Sequence, residues 1–138
     1  MLTMPRHLFD AMLAHCRAEH PIEACGVMPG PRAGDVPDRI VPMRNAERST
    51  VAYRFNPDEQ IEVWQEMAEK RERPVVIYHS HTATHAYPSR LDIQHATIPE
   101  AHWVIVATRD RGNVRMPPDV KSFRIVSGEV AEETVTVV

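Results

Sequence analysis

The sequence predicts an α/β fold, with a mixed sheet flanked by helices in a single domain spanning residues 1–138. Three observations point there. Two segments, 5–20 and 56–69, carry apolar residues at helical spacing. Short apolar runs of strand length lie between and after them. Pro-rich and Gly-containing turns punctuate the chain without dividing it.

The first helix is expected over residues 5–20. Leu8, Met12 and Cys16 recur at spacing four with Leu13 beside them, and Pro5 suits a first turn. Residues 24–28 read as a strand closed by the turn signal Pro29-Gly30-Pro31. A polar loop follows over 32–38, then candidate strands at 40–43 and 51–55. Asn56-Pro57-Asp58-Glu59 opens the second helix with a cap, a proline and two acids at its positive end. Ile61, Trp64, Met67 and Ala68 give it one apolar face. Residues 74–78 form a nearly all-apolar strand, central and covered on both faces. A third helix should start at Ser89, and 101–108 should be another buried strand. A loop with Pro117-Pro118 is expected over 111–119. Two last strands, 123–126 and 130–138, should join near Gly128.

Length and composition exclude several classes. A chain of 138 residues suits one domain. Hydrophobic content of 43%, charged content of 25% and net charge −3 are ordinary for a globular protein and leave no basic footprint for nucleic acid. Cys16 and Cys25 are too few for a disulfide framework, and no C-x-x-C is present. The N-terminal stretch lacks the continuous apolar core of a signal peptide, and no run approaches the roughly 20 apolar residues of a membrane span. A cytoplasmic setting is the expectation.

The chemistry concentrates in YHSHTATHAYPSRLD, residues 78–92. Strand residues i and i+2 share a face, so His79 and His81 present two imidazoles to one ion. Zinc is the natural candidate, since it takes imidazole nitrogen and carboxylate oxygen at about 2.0–2.2 Å. Asp92, one turn into the third helix, supplies a third ligand. Such a set leaves a fourth position for water, whose pKa a catalytic zinc lowers to about 7. A base is also needed. Glu23 is the candidate and Glu19, at a helix end, its rival. The small Cys25-Gly26 pair lets another backbone or a substrate approach closely. Ser89 could donate a hydrogen bond to an oxyanion.

Plainer readings compete. By composition alone, an H-x-H pair arises in roughly one of every two such chains, and the added Ser and Asp lower this to roughly one in a thousand. Ser89-x-x-Asp92 is also helix-start chemistry, and the Asp92 carboxylate cannot fully serve both cap and metal. His85 is an alternative third ligand, more readily placed facing solvent or substrate. Cys25 reads as a small buried strand residue rather than a thiol nucleophile. His7, His15, His20, His95 and His102 read as ordinary surface or core-edge histidines.

Glu23, then His79-Ser80-His81, seven residues, Ser89, two residues and Asp92 resembles the JAMM (MPN+) metallopeptidase signature, E…H-S/T-H-x7-S-x-x-D. EACGVMPG, the segment NAER at 45–48, VVIYHSHTATHAYPSRLD and SFRIVSGEV are similar to the short bacterial JAMM peptidases of the Mec type. The resemblance implies a JAB/MPN fold, a cytidine-deaminase-like mixed sheet flanked by helices. It implies one Zn²⁺ per chain held by His79, His81 and Asp92, with Glu23 as general acid/base and Ser89 assisting the transition state. The implied reaction is hydrolysis of the amide bond between cysteine and the C-terminal glycine of a ubiquitin-like sulfur-carrier protein. It releases free cysteine in a thiocarboxylate-dependent cysteine biosynthesis. The implied partner is that carrier, whose extended Gly-Gly tail would pair with a sheet edge. Neither nucleic acid nor membrane is involved. The deaminase chemistry itself is not expected, because H-x-E and P-C-x-x-C are absent. Two other readings stand beside it: a tail-trimming or deubiquitinase-like isopeptidase of the same fold, and a non-catalytic MPN scaffold. The presence of all five motif residues opposes the scaffold. The sequence leaves open whether the chain is a homodimer.

Overall fold

The computed structural model describes residues 1–109 and 118–138. Most of the expected proline loop at 111–119 lies outside them. The centre is a mixed sheet whose middle strand, β4 (Glu72–His81), carries the apolar run. On one side β4 pairs antiparallel with β2 (Cys25–Pro31), which pairs with the short edge strand β3 (Val41–Met43). On the other side it pairs in parallel with β5 (His102–Ala107), followed by β6 (Asp119–Val126) and β7 (Glu129–Glu133). The order is β3-β2-β4-β5-β6-β7. The β4–β5 crossover contains the short helix α3 (Arg90–His95).

Alternation along β4 decides what each face buries. Val76 and Tyr78 join Val104 and Val106 against Leu8, Met12, Leu13 and Cys16 of α1 (Arg6–Glu19). Ile77 joins Val27, Trp103, Ile105 and Phe123 in a second cluster, which takes in Val63 and Met67 of α2 (Pro57–Glu69). His79 and His81 continue the odd-numbered face. The sheet therefore delivers both imidazoles to the α2 and α3 side, at the end of its central strand. Burial of both faces explains why β4 reads as an unbroken apolar run.

Several expectations are corrected. The Pro29-Gly30-Pro31 signal does not close β2. The strand continues through it by a register shift between Met28 and Pro29. β3 pairs only residues 25–27, so neither proline nitrogen is asked to donate to that edge strand. Gly30 is required by crowding, since a Cβ there would lie 2.6 Å from the Val36 carbonyl oxygen. Residues 51–55 form no strand. Only a single bridge, Asn45 to Phe55, marks them. The α2 helix buries Val63 and Met67 with Trp64 half-buried, while Ile61 is 56% exposed. The last segment is two strands. β7 stays in the main sheet, while β8 (Val135–Val137) pairs in parallel with β1 (Leu2–Met4), a strand the sequence reading missed. Leu2 and Met4 cover the α1 side of the core. The β6–β7 hairpin turns at Ser127 and Gly128, both at positive φ, as a tight two-residue turn requires.

Candidate metal centre

His79 and His81 are buried, and Ser80 between them points to the opposite face. The Ser80 hydroxyl accepts a hydrogen bond from the Ala24 amide at 2.8 Å, and the Ser80 amide donates to the Ala24 carbonyl at 3.0 Å. This clasp holds the start of β2 against the end of β4. Because Cys25 pairs with His79, the residue two before it, Glu23, is brought level with His81 on the same face.

Three ligand-type atoms converge there. His79 Nε2 and His81 Nε2 are 3.1 Å apart. Asp92 Oδ2 lies 3.1 Å from the first and 3.0 Å from the second. Donors on a tetrahedral zinc, at about 2.0 Å from the metal, stand about 3.3 Å from one another. The observed triangle is within a few tenths of an ångström of that. The tautomer supports the same conclusion. His81 Nδ1 faces the His85 carbonyl oxygen at 3.0 Å, an atom that can only accept. The proton therefore sits on Nδ1, so Nε2 faces a carboxylate oxygen and another imidazole either as a bare lone pair in the neutral ring or, when the ring takes a second proton, as a donor to Asp92. Such an arrangement calls for a cation, either a proton or a metal ion. The donor set fits zinc.

Glu23 completes the group. It is only 4% exposed, and one carboxylate oxygen lies within 4.8 Å of a ligand-type nitrogen on each histidine. Glu23, His79 and His81 thus also form a metal-capable cluster, but Asp92 stands closer to both rings. The geometry favours Asp92 in the ligand triangle and Glu23 beside it, at a distance that one water can bridge.

Electrostatics separate the two carboxylates. Burial pushes the Glu23 carboxyl up to about 7, with His81 pulling it down and Asp92 pushing it up further. Burial would raise Asp92 too, but hydrogen bonds from His79 and His81 overcome that and hold it well below the usual carboxylate range. Burial lowers the His79 imidazole against the opposing pull of Asp92. One carboxylate is therefore a fixed anion and the other is poised to exchange a proton near neutrality.

The helix start at Ser89 is as expected, but the expectation that the Asp92 carboxylate cannot serve the cap and the imidazoles together needs correcting. Ser89 Oγ accepts from the Asp92 amide at 3.1 Å, and Asp92 Oδ2 accepts from the Ser89 amide at 2.8 Å. The capping box is complete, and the same Oδ2 also faces both imidazoles. Cap and imidazole contacts are one arrangement, because the cap holds the carboxylate in place for the rings.

The remaining candidates divide clearly. The His85 side chain is exposed, and its contribution is the backbone carbonyl that orients His81. Cys25 is fully buried, and burial pushes its thiol up to about 12, which opposes a thiolate nucleophile. Glu19 is exposed at the end of α1. Gly26 admits no substrate. A Cβ there would lie 2.3 Å from the Tyr78 hydroxyl, so the Tyr78 ring fills the space. His102 is not a core-edge residue but is 1% exposed within an ionic cluster. Sequence reading missed Tyr53, whose ring stacks on His79 with centroids 4.4 Å apart. It also gave no role to Asn45, which donates to the Glu23 carbonyl at 3.0 Å. The NAER segment singled Asn45 out without showing why. An open cleft of about 830 Å³ is lined by Glu23 together with Pro42, Met43 and Asn45 at the β3 end and His15 and Glu19 of α1, and not by His79, His81 or Asp92.

Comparison with known proteins places the chain. A family described as prokaryotic homologs of the JAB domain matches residues 5–126. The CysO-cysteine peptidase of Mycobacterium tuberculosis is 52% identical over 138 residues, covering 100% of this chain and 92% of that one. A desampylase of Haloferax volcanii is 31% identical over 111 residues, covering 74% and 77%. A solution structure of a Desulfitobacterium hafniense protein matches with TM-score 0.84 at 31% identity, covering 100% of this chain and 93% of the other.

Proposed function

The chain belongs to the family of prokaryotic homologues of the JAB domain, and from that membership we propose that it is a zinc-dependent peptidase. Its substrate is a ubiquitin-like sulfur-carrier protein whose C-terminal glycine is joined to cysteine, and its product is free cysteine. The observation that carries this reading is the His79–His81–Asp92 triangle with the raised Glu23 carboxyl beside it. A relative 52% identical over the whole chain, a CysO-cysteine peptidase, supports the substrate.

His79, His81 and Asp92 hold the metal in this reading. Zinc bound there supplies Lewis acidity to the scissile carbonyl and lowers the pKa of water. Glu23 accepts the proton of the attacking water and returns it to the departing amine. The C–O bond forms first, the C–N bond breaks when the resulting oxyanion collapses and expels the protonated amine, and no redox change occurs. Ser89 Oγ spends its acceptor role on the Asp92 amide, which leaves its hydroxyl hydrogen to donate to the developing oxyanion.

The tail of the carrier must arrive extended. Two strands, β3 and β7, offer a free edge of the main sheet. Met43 of β3 pairs with Cys25, and Cys25 with His79, so the β3 edge ends level with the metal site. β7 lies three strands away from β4. We assign the tail to the β3 side, where Glu23, Pro42 and Met43 line one cleft. The same site would serve an isopeptidase acting on a ubiquitin-like modifier, a reading favoured by the desampylase relative. No described helix is long and apolar enough to cross a membrane, and we place the enzyme with its cysteine product in the cytoplasm.

Metal analysis of purified variants tests the centre. His79→Ala and Asp92→Ala are expected to lose zinc, and Glu23→Gln to retain it while failing to cleave the adduct. Full zinc occupancy in the first two, or normal cleavage by the third, contradicts the assignment.

A further inference from the structure

We propose that Asn45 is a positioning residue that couples the base to a metal ligand, by holding one loop against both. The inference rests on the metallopeptidase reading above. Asn45 lies just beyond β3, and its carboxamide has two donor hydrogens and an oxygen with two lone pairs. All four are used. Nδ2 donates to the Glu23 carbonyl at 3.0 Å and to the Ala52 carbonyl at 2.9 Å. Oδ1 accepts from the Glu47 amide at 3.0 Å and the Arg54 amide at 3.2 Å. With two carbonyls on one side and two amides on the other, the orientation of the group is fixed by its surroundings.

These partners are the two halves of the reaction machinery. The Glu23 amide donates to the Ser49 carbonyl at 2.9 Å, so both backbone polar groups of the base are held by residues 45–49. Ala52 and Arg54 flank Tyr53, whose ring lies 4.4 Å from the His79 ring at an interplanar angle of 24°. Thr82 Oγ1 donates to the Thr50 carbonyl at 2.9 Å and ties the middle of the loop to the chain just beyond His81. Among the described residues, Asn45 is the one side chain bonded both to Glu23 and to the residues on either side of Tyr53. A ligand imidazole keeps its affinity only while its lone pair stays aimed, and residues behind the ligands commonly change affinity or activity by about 10–100-fold. The loop therefore sets two quantities together: where the base stands and how firmly His79 is held.

The test uses the zinc-loaded protein and follows zinc release into a chromogenic chelator, alongside steady-state cleavage. Asn45→Asp keeps both acceptor bonds but sets an oxygen against two carbonyls. It is expected to release zinc about tenfold faster and to lower kcat about tenfold, with KM within twofold. Tyr53→Ala should speed release similarly and Tyr53→Phe should not. The double variant Asn45→Asp/Tyr53→Ala should release zinc no faster than the faster single variant, since both act through one stack. Independent, multiplying effects overturn the coupling. So do release and kcat within twofold of wild type in a folded Asn45→Asp protein. If that variant does not fold, Asn45→Ser, which is smaller and sets no carboxylate against the two carbonyls, enters the same cycle with the same criteria. A wild type that binds zinc but does not release cysteine defeats the substrate reading alone, because the release cycle is read without substrate.

Discussion

Burying a carboxylate away from water favours its neutral form, and Glu23 is held at about 7 for that reason. The linkage has a definite sign. The unfolded group titrates near 4.5 and the folded group higher, so the ionised side chain opposes folding. The penalty is absent below about pH 4.5, grows between 4.5 and 7, and is full above 7. Metal-free Glu23→Gln is therefore expected to be more stable than wild type at pH 8, by about 1–3 kcal/mol, and equal to it near pH 4. Urea denaturation at the two pH values measures this. Equal stability at pH 8 would mean that the carboxyl is not held neutral by its surroundings. At this scale the residues that converge at the site, His79, His81, Asp92 and Glu23, were legible in the sequence. His79 and His81 sit two apart on a strand, and the spacing to Ser89 and Asp92 is short and fixed. Tyr53, Asn45 and the His85 carbonyl were not legible. Their roles depend on contacts between segments far apart in the chain, or on a backbone atom that no side-chain identity announces.

The α3 helix shows one element carrying two duties. Its capping box and the carboxylate that faces both imidazoles share Asp92 Oδ2. Asp92→Asn keeps an oxygen for the Ser89 amide and removes the negative charge between the rings. It should destabilise the metal-free fold at neutral pH, because the charge that His79 and His81 hold below the usual carboxylate range is lost, and should weaken zinc binding at least about 100-fold. Ser89→Ala should lose about 1 kcal/mol of stability through the lost cap, keep zinc, and slow cleavage. Zinc titration beside thermal melts separates the two. A capping role alone for Asp92 would leave zinc affinity unchanged in Asp92→Asn. The sequence reading treated cap and ligand as rivals because it counted one carboxylate for one task. Beyond α3, the helix boundaries were read well from cap and proline signals, while the buried face of α2 was misjudged by part of a turn. Ile61 looks as apolar as Val63, and only the direction of the sheet decides which of them is covered.

For the whole molecule, the sheet order separates the site from the structural lock at the other end. Ala107 of β5 pairs with His81, and His102 pairs with Val76 at the far end of the same ladder. There the His102 ring lies between the carboxylates of Glu133 and Asp35, the latter at 2.9 Å, with Arg124, Ser122 and Arg73 completing the cluster. Glu133 ends β7, next to the chain that departs for β8 and β1. His102→Ala removes one partner of the nearly buried Glu133 carboxylate, which keeps the Ser122 hydroxyl and the N-terminal ammonium, and should lower stability by roughly 1–3 kcal/mol, with zinc content and kcat unchanged. Loss of zinc in that variant would mean that the two ends are not independent. Here the sequence was least informative. Residues 130–138 look like one strand, and only the break between β7 and β8 sends the last residues to the opposite face to pair with β1. The central strands were legible because burial on both faces leaves a continuous apolar run. The measurement that bears most directly on the enzyme as a whole is intact-mass analysis of a sulfur-carrier protein ending in Gly-Gly-Cys. Zinc-loaded protein should shorten it by one cysteine residue, and chelated protein or Glu23→Gln should leave it unchanged. An adduct untouched by the zinc-loaded protein, or cleaved equally after chelation, would contradict the proposed reaction.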